Sequence, residues 1–213
     1  MESKLNLNTI DAFWSKRAKM DDPLASRLGD DKRYTYDIGL IEMHIDSSSR
    51  VLDLGCGNCV IANALEPKAH SIVAVDKYSD FLRYCIKSPK VKTVVSDIVE
   101  FKYDGYFDAI LIFGVLNYVA REEALIVYQK MHKMLAANGT MIIKHQMAIE
   151  KDVTINHFST ELNERYSAEY RFVEQEAADL YESGFSVETI DIYPQDMNKH
   201  SNTKHFALVC KKT

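Results

Sequence analysis

The stretch VLDLGCGNCV, residues Val51 to Val60, joins a short apolar run to a loop with glycine at positions 55 and 57. The apolar run is short enough for a buried strand, and the residues beyond Val60 have the spacing of a helix. Glycine lets the backbone turn tightly and approach a ligand where a β-carbon would collide. The stretch therefore predicts a strand, a glycine loop that can hold a ligand, and a helix.

The same letters place Cys56 and Cys59 in a CxxC arrangement, which at a helix start is also typical of a redox-active dithiol. About five strand–helix units come before a C-terminal hairpin, which is more than a thioredoxin core contains. This number of units disfavours the redox interpretation. The dinucleotide fingerprint G-x-G-x-x-G is a second alternative, but its third glycine position falls on Val60. A valine there obstructs the close helix packing that the third glycine allows.

Strand and helix signals alternate along most of the chain. The predicted strands are Val51–Leu54, Ser71–Asp76, Val91–Val95, Phe107–Phe113, Thr140–His145, Phe185–Tyr193 and His205–Lys211. Helices are predicted at 61–65, 79–86 and 121–137 and within 168–183. The last two strands are separated by only a polar loop and predict a hairpin. The fold class is therefore α/β: a single Rossmann-like, doubly wound domain with a mostly parallel seven-stranded sheet and an antiparallel C-terminal hairpin.

Length and composition limit the possible functions. With 213 residues and 46% hydrophobic content, one domain over 1–213 is expected, with an N-terminal lid or helical segment at 1–48 and a cofactor-binding core with acceptor-site insertions at 49–213. A net charge of −5 with scattered basic residues argues against a nucleic-acid partner. No run approaches the ~20 apolar residues of a membrane span. Few cysteines and no leader predict a cytoplasmic protein, with no metal site expected and the oligomeric state open.

Four motifs in order resemble the class I S-adenosylmethionine-dependent methyltransferases. Asp53, Gly55 and Gly57 match the family's acid-x-Gly-x-Gly-x-Gly loop, with Cys59 in place of the third glycine. An acid at the end of the second strand, Asp76, resembles the family's ribose-binding acid. The segments Ser96-Asp97-Ile98 and Phe113-Gly-Val-Leu-Asn-Tyr118 resemble the motifs after the third and fourth strands. The resemblance implies S-adenosylmethionine as cofactor and S-adenosylhomocysteine as product.

The resemblance also implies a set of donor-binding residues. These are Trp14, Arg17, Asp53, Gly55, Cys56, Gly57, Asp76, Lys77, Asp97, Ile98, Phe113, Gly114 and Leu116. Independently of the family, a carboxylate such as Asp76 is suited to accept both hydroxyls of a ribose. Arg17 could meet the donor's carboxylate. Structural alternatives stay open: helix capping for Asp76 and Asp97, loop ordering for Asp53, and core packing for Phe113, Leu116 and the aromatic N-terminal segment.

Polar and aromatic residues outside these motifs are candidates for the acceptor site. The candidate walls are Tyr36, Asn117, Tyr118, Tyr166, Tyr170 and Arg171. His145, at the end of the fifth predicted strand, is the first candidate for a general base that takes a hydroxyl proton, and His157 is the second. Each histidine could instead be structural.

A softer resemblance, carried by residues 156–171 and 193–205, is to the sugar and small-molecule methyltransferases of surface-polysaccharide pathways. We therefore expect methyl transfer to a small-molecule substrate, through a hydroxyl or phosphate of a sugar or nucleotide-activated sugar. A Rossmann-type NAD-dependent oxidoreductase and a donor-binding partner protein without turnover are the alternatives.

Overall fold

The structure is a computed structural model that describes residues 5–23, 31–160, 162–198 and 200–213. Its strands are β1 Arg50–Leu54, β2 Ser71–Asp76, β3 Val91–Val95, β4 Phe107–Phe113, β5 Leu135–Ala148, β6 Val153–Ser159, β7 Glu164–Tyr170, β8 Phe185–Asp191 and β9 Thr203–Lys212. Its α-helices are α1 Leu7–Ala18, α2 Asp31–Glu42, α3 Val60–Leu65, α4 Arg121–Met134 and α5 Val173–Glu182.

Seven of these strands form one sheet in the order β3-β2-β1-β4-β5-β9-β8. Neighbours from β3 to β5 pair in parallel, and β9 pairs antiparallel with both β5 and β8. The predicted fold class is thereby confirmed, including the antiparallel C-terminal hairpin. The strand order reverses between β1 and β4, and in such sheets ligands bind beyond the carboxyl ends of the strands at this reversal.

Two apolar cores cover the two faces of the sheet. One core contains Val127 and Met131 from α4 and Leu180 from α5, and the other contains Ile41 from α2 and Leu65 from α3. The central strands are buried on both sides, which explains why they appear in the sequence as continuous apolar runs. None of the described helices has the length and hydropathy of a bilayer-crossing segment.

Strands β6 and β7 form a separate antiparallel hairpin that the sequence analysis did not predict. Phe13 of α1 packs against Tyr166, Ala168 and Tyr170 of this hairpin and forms a third, smaller apolar cluster with them. The predicted helical segment 168–183 therefore divides into the end of β7 and the helix α5. The hairpin and α1 together form a layer beside the carboxyl ends of β4 and β5.

The predicted helix over 79–86 is only a single 3-10 turn, Phe81–Tyr84. Asn63 of α3 explains the difference, because its side-chain amide donates to the Tyr84 carbonyl at 2.9 Å and its oxygen accepts the Ile86 N–H at 2.8 Å. These backbone groups are thus satisfied by a neighbouring side chain instead of by a helix. The predicted helix over 121–137 ends earlier, at Met134, where Leu135 begins to pair with Phe107.

Candidate functional site

The glycine loop leaves β1 at the point where the strand order reverses. Gly55 has φ +79°, and a Cβ added there would lie 2.8 Å from Cβ of Val115. Gly57 has φ +51°, and a Cβ added there would meet no described atom within 4 Å. The N–H groups of Gly55 and Cys56 both donate to the Val75 carbonyl, at 2.8 and 2.9 Å. Gly55 is therefore required by packing, whereas the open side of Gly57 gives a ligand close access to the backbone.

The carboxylate of Asp76 lies at the end of β2 and holds this loop. Its Oδ2 accepts the Gly57 N–H at 2.9 Å, and its Oδ1 accepts the Tyr78 N–H at 2.9 Å. Burial raises the pKa of Asp76 above the ordinary aspartate value, although these backbone N–H groups act in the opposite direction. A carboxylate oxygen can accept more than one hydrogen bond, so both oxygens retain capacity for the hydroxyls of a ligand.

Asp53 is almost completely buried on β1 beneath the loop, with 2% of its surface exposed. Its Oδ2 has no hydrogen-bond partner among the described residues. Burial, reinforced by the charge of Asp76, raises the pKa of Asp53 to about 7. An unpartnered buried carboxyl oxygen is costly, and a cationic ligand group would compensate that cost.

At the adjacent strand ends, the predicted donor-binding residues Lys77, Asp97 and Ile98 differ in their exposure. Asp97 accepts the Val99 N–H at 2.9 Å, and its Oδ2 lies 4.0 Å from Nζ of Lys77. Lys77 also contacts Asp11 of α1 at 2.9 Å, and this contact raises the pKa of Lys77. Ile98 is buried in the core cluster that contains α4 and α5. Polar and apolar contacts are thus both present beyond β3, as an adenosine site requires.

The cysteines of the loop have different partners from those that the CxxC spacing suggested. Cys59 forms a disulfide bond with Cys85, across 26 positions of sequence. Cys56 is a free cysteine, and its Sγ lies 3.8 Å from Sγ of Cys59. Burial and the carboxylates of Asp53 and Asp76 raise the pKa of the Cys56 thiol well above its usual range, which disfavours the nucleophilic thiolate. The described loop therefore contains a structural bond instead of a reactive Cys56–Cys59 dithiol.

On the other side of the reversal, the segment after β4 forms the opposite wall. Gly114 has φ +73° and donates its N–H to the Lys144 carbonyl at 2.7 Å. The side chain of Asn117 is buried and donates to the carbonyls of Gln146 and Glu169, both at 2.9 Å. Leu116 is fully buried and Phe113 is partly buried. Asn117 therefore serves to connect this wall to β5 and β7.

Helix α1 crosses the edge of the sheet from the donor-side loop to the hairpin. Asp11 accepts from the Tyr78 hydroxyl at 2.9 Å, and Lys16 pairs with Glu164 of β7 at 2.8 Å. Between these ends, the ring of Trp14 lies 6.3 Å from that of Phe81 and 5.0 Å from that of Tyr118. The structure thus places the predicted N-terminal lid residue Trp14 between the two sides of the site.

The two candidate bases lie in different environments. His145 is fully buried on the α4/α5 face, where its Nε2 lies 3.0 Å from Oε2 of Glu176. Glu176 also accepts from Tyr128 and from Arg171, and Arg171 donates to the Leu116 carbonyl at 2.8 Å. Burial acts to raise the pKa of Glu176, but His145 and Arg171 hold it at about 2. Arg171, Tyr128 and His145 thus surround Glu176 in a buried hydrogen-bonded network.

His157 is exposed on β6, opposite Tyr166 in the hairpin register. Tyr36 is also exposed, at 41%, with its ring 6.0 Å from that of Tyr193. The described contacts therefore do not bring His157 together with His145.

A polar group near β5 was missed by the sequence analysis. Lys144 Nζ lies 2.9 Å from Asp37 of α2, and Asp37 also accepts from the Tyr193 hydroxyl at 2.7 Å. The register places Lys144 opposite Phe113, on the same face of the sheet as Asp53. The sequence signal for the position of Lys144 is the alternation of side chains along β5, because neighbouring residues such as Lys144 and His145 must point to opposite faces of the sheet.

Comparisons with known proteins agree with this geometry. Residues 51–139 match the family model described as a methyltransferase domain. Over 88 residues the chain is 31% identical to the putative methyltransferase 235L of Invertebrate iridescent virus 6; the matched part is 40% of this chain and 33% of the relative. The chain thus spans about a third of the length of this curated relative.

Solved structures share the fold over most of the chain. One titled DhpI-SAM-HEP complex superposes with a TM-score of 0.73 at 13% identity, covering 99% of this chain and 100% of that one. A putative S-adenosylmethionine-dependent methyltransferase from Listeria monocytogenes gives a TM-score of 0.68 at 16% identity, covering 84% and 99%. The comparisons thus show that residues 51–139 match a methyltransferase-domain model and that the chain shares its fold with these solved structures.

Proposed function

We propose that this protein binds S-adenosylmethionine and transfers its methyl group to a small-molecule acceptor. The observation that carries this proposal is the glycine loop between two buried acids: the open backbone at Gly57, the loop-holding carboxylate of Asp76 and the Asp53 oxygen that has no partner in the described part of the chain. Asp76 would accept the ribose hydroxyls, and Asp53 would face the amino group of the donor. Lys77, Asp97 and Ile98 would surround the adenine, with Phe113, Gly114 and Leu116 on the other side.

The acceptor in this proposal is an oxygen of a sugar or of a nucleotide-activated sugar. The support is the tyrosine-lined wall of Tyr118, Tyr166 and Tyr170 beside the ends of β4 and β5. Phenol hydroxyls pair with the hydroxyls of a sugar, and their rings pack on its apolar faces. A role in polysaccharide biosynthesis belongs to the same proposal.

When bound, the donor supplies an electrophilic methyl carbon on a sulfonium, so catalysis depends mainly on alignment and on exclusion of water. Helix α1 covers the site from Asp11 to Lys16 and would keep water out. Proton removal from a hydroxyl acceptor remains assigned to His145 or His157. The ring of His157 is exposed, whereas the buried ring of His145 is already bound to Glu176.

Ligand-dependent melting tests the donor and separates it from a nicotinamide cofactor. S-adenosylhomocysteine at about 100 times its Kd should raise the melting temperature by about 5 °C or more, and NAD at the same concentration should leave it unchanged. Stabilisation by NAD alone would contradict the proposal. Transfer of labelled methyl to a panel of sugar phosphates and sugar nucleotides then separates an enzyme from a donor-binding protein without turnover.

A further inference from the structure

Arg171 follows β7 and is one of the predicted acceptor-site residues, but only 3% of its surface is exposed. Its backbone carbonyl accepts the Ala148 N–H at 2.8 Å, which fixes residue 171 beside the end of β5. Its guanidinium reaches the turn after β4, Leu116–Tyr118, and donates to the carbonyls of Leu116 and Val119. A buried side chain from the end of the hairpin thus holds the backbone of this turn.

The guanidinium is itself held in place by Glu176 of α5. Oε1 of Glu176 accepts from Arg171 at 3.2 Å and also accepts from Tyr128 of α4, and its Oε2 lies 3.0 Å from Nε2 of His145. Burial acts to lower the pKa of Arg171, but interactions led by that with the Glu176 carboxylate raise it overall. The planar fork of an arginine can serve a carboxylate and two carbonyls at once, so Arg171 joins α5 to the turn.

The residues of this turn belong to both parts of the proposed site. Leu116 is assigned above to the donor side, and Tyr118 is assigned to the acceptor wall. The Tyr118 ring lies 5.0 Å from the ring of Trp14, and its hydroxyl lies 2.9 Å from the hydroxyl of Tyr166. Between them, the side chain of Asn117 ties the middle of the turn to β5 and β7. A shift of the turn would therefore displace a donor-side and an acceptor-side residue together.

The turn is too short to determine its own position. It is a three-residue 3-10 segment, in which the Tyr118 N–H donates to the Val115 carbonyl at 3.0 Å and the Val119 N–H donates to the Leu116 carbonyl at 3.3 Å. Such i→i+3 hydrogen bonds have poor geometry and form only short pieces of structure. Hydrogen bonds from a charged donor such as Arg171 are stronger than those between neutral groups, so they contribute strongly to where the turn lies.

We propose that Arg171 is a positioning residue for the methyl transfer. It fixes the turn after β4 so that Leu116 faces the donor and Tyr118 faces the acceptor. The inference rests on the proposed function and adds to it a residue that contacts neither ligand and acts through the backbone of the turn. A donor binds only those molecules in which the turn is correctly placed, so its apparent affinity falls when the turn is released.

A pair of substitutions separates positioning from a contribution to stability alone. Arg171→Met removes the guanidinium that faces the buried Glu176 carboxylate, so it lowers the stability of the fold whatever the role of Arg171. Arg171→Met combined with Glu176→Gln removes both charges, and it should unfold at a urea concentration closer to that of the wild type. In this double variant the carbonyls of Leu116 and Val119 still lack the guanidinium donor.

Two measurements on the double variant report on the turn. By calorimetry, its affinity for S-adenosylhomocysteine should stay about tenfold or more below that of the wild type although its stability recovers. Trp14 is the only tryptophan of the chain and lies beside Tyr118, so its emission without ligand should differ from that of the wild type. The matched control is Arg121→Met with Asp179→Asn, which removes another ion pair of α5, at 2.6 Å, and should keep wild-type affinity and emission.

Wild-type affinity and wild-type emission in the double variant would overturn the inference and leave Arg171 with a structural role only. If the double variant does not fold, Arg171→Lys replaces it, because a lysine keeps the cation opposite Glu176 but lacks the planar fork. Weaker affinity and altered emission are expected in Arg171→Lys, and wild-type values of both would again overturn the inference. Failure of the wild type to bind S-adenosylhomocysteine would instead refute the proposed function, and the ligand-free emission would still decide whether Arg171 fixes the turn.

Discussion

A single buried carboxyl, Asp53, should make donor binding depend on pH. Its pKa of about 7 in the donor-free protein results from burial and from the charge of Asp76. The ionised form attracts the donor's ammonium group as an opposite charge and the protonated form does not, so affinity for S-adenosylhomocysteine should rise as the pH increases through about 7. Binding near that pH should release a proton, which calorimetry in buffers of different ionisation enthalpy measures.

The matched variant for this prediction is Asp53→Asn, which keeps the size of the side chain and cannot titrate. Its donor affinity should be lower than that of the wild type at high pH and should lose the pH dependence. A wild-type affinity that is flat across this range would show that another group carries the charge.

Asp76 has two roles, because it holds the loop through Gly57 and Tyr78 and is proposed to bind the ribose. Asp76→Ala removes charge-assisted hydrogen bonds worth about 1.5–3 kcal/mol each, so affinity for S-adenosylhomocysteine should fall at least about tenfold. Calorimetry measures the change, and circular dichroism checks the fold. Asp108→Ala, at the opposite end of the sheet where Asp108 pairs with Arg50, should retain wild-type affinity; unchanged affinity in Asp76→Ala would reject the ribose role.

At the scale of elements, the buried network of His145 joins β5 to α5. His145→Ala removes one of the described hydrogen-bond partners of the buried Glu176, which keeps Tyr128 and Arg171, and a hydrogen bond to a charged group is worth about 1.5–3 kcal/mol of unfolding free energy. Urea unfolding should reveal this loss, and His145→Gln should recover part of it. If His145→Ala keeps wild-type stability but loses turnover by about a hundredfold, His145 acts as the base.

The Cys59–Cys85 disulfide joins the start of α3 to the segment after β2. Opening it with dithiothreitol should lower the unfolding free energy by about 2–4 kcal/mol, because the unfolded chain regains the freedom of the closed loop. Differential scanning calorimetry should show a lower melting temperature for the reduced wild type. The double variant Cys59→Ser/Cys85→Ser should melt at the same temperature with and without dithiothreitol, and any remaining effect of the reagent would point to another site.

The elements differ in how far the sequence could predict them. Strands such as Phe107–Phe113 are continuous apolar runs because both faces are covered, and the glycine loop has its own local signature. The β6–β7 hairpin has no such signature: Val153–Ser159 is half-exposed and polar, and its pairing depends on contact with α1. The Cys59–Cys85 bond likewise joins residues far apart in sequence, whereas the CxxC spacing drew attention to the neighbouring Cys56.

The residues of the candidate site also differ in how far the sequence could predict their positions. Asp53, Gly55 and Gly57 lie at alternate positions across the end of β1 and the loop that follows it, so their proximity could be predicted from the sequence. The contact between Phe13 and Tyr166 could not be predicted, because these residues are distant along the chain and meet only after α1 packs on β7. The burial of His145 depends on α5, which packs against the face of the sheet on which the His145 side chain lies.

At the scale of the whole molecule, α1 should transmit donor binding to the hairpin. It contacts the donor side through Asp11 and Tyr78 and the hairpin through Lys16 and Glu164. Binding of S-adenosylhomocysteine should therefore slow amide hydrogen exchange in α1 and in β6 and β7, with β8 unchanged as an internal control. Protection confined to the glycine loop would mean that the two sides move independently.

The division between sheet and hairpin also bears on how such a protein can evolve. Most of the proposed donor-binding residues lie in one continuous stretch, residues 51–139, which matches the family model. The proposed acceptor wall instead combines α1, the turn after β4 and the β6–β7 hairpin, which lies between β5 and α5 in the sequence. Insertions or substitutions in the hairpin leave the pairing of the sheet unchanged, because β6 and β7 pair only with each other among the described strands. Natural selection can therefore change the proposed acceptor wall by altering the β6–β7 hairpin while the proposed donor-binding loop is kept.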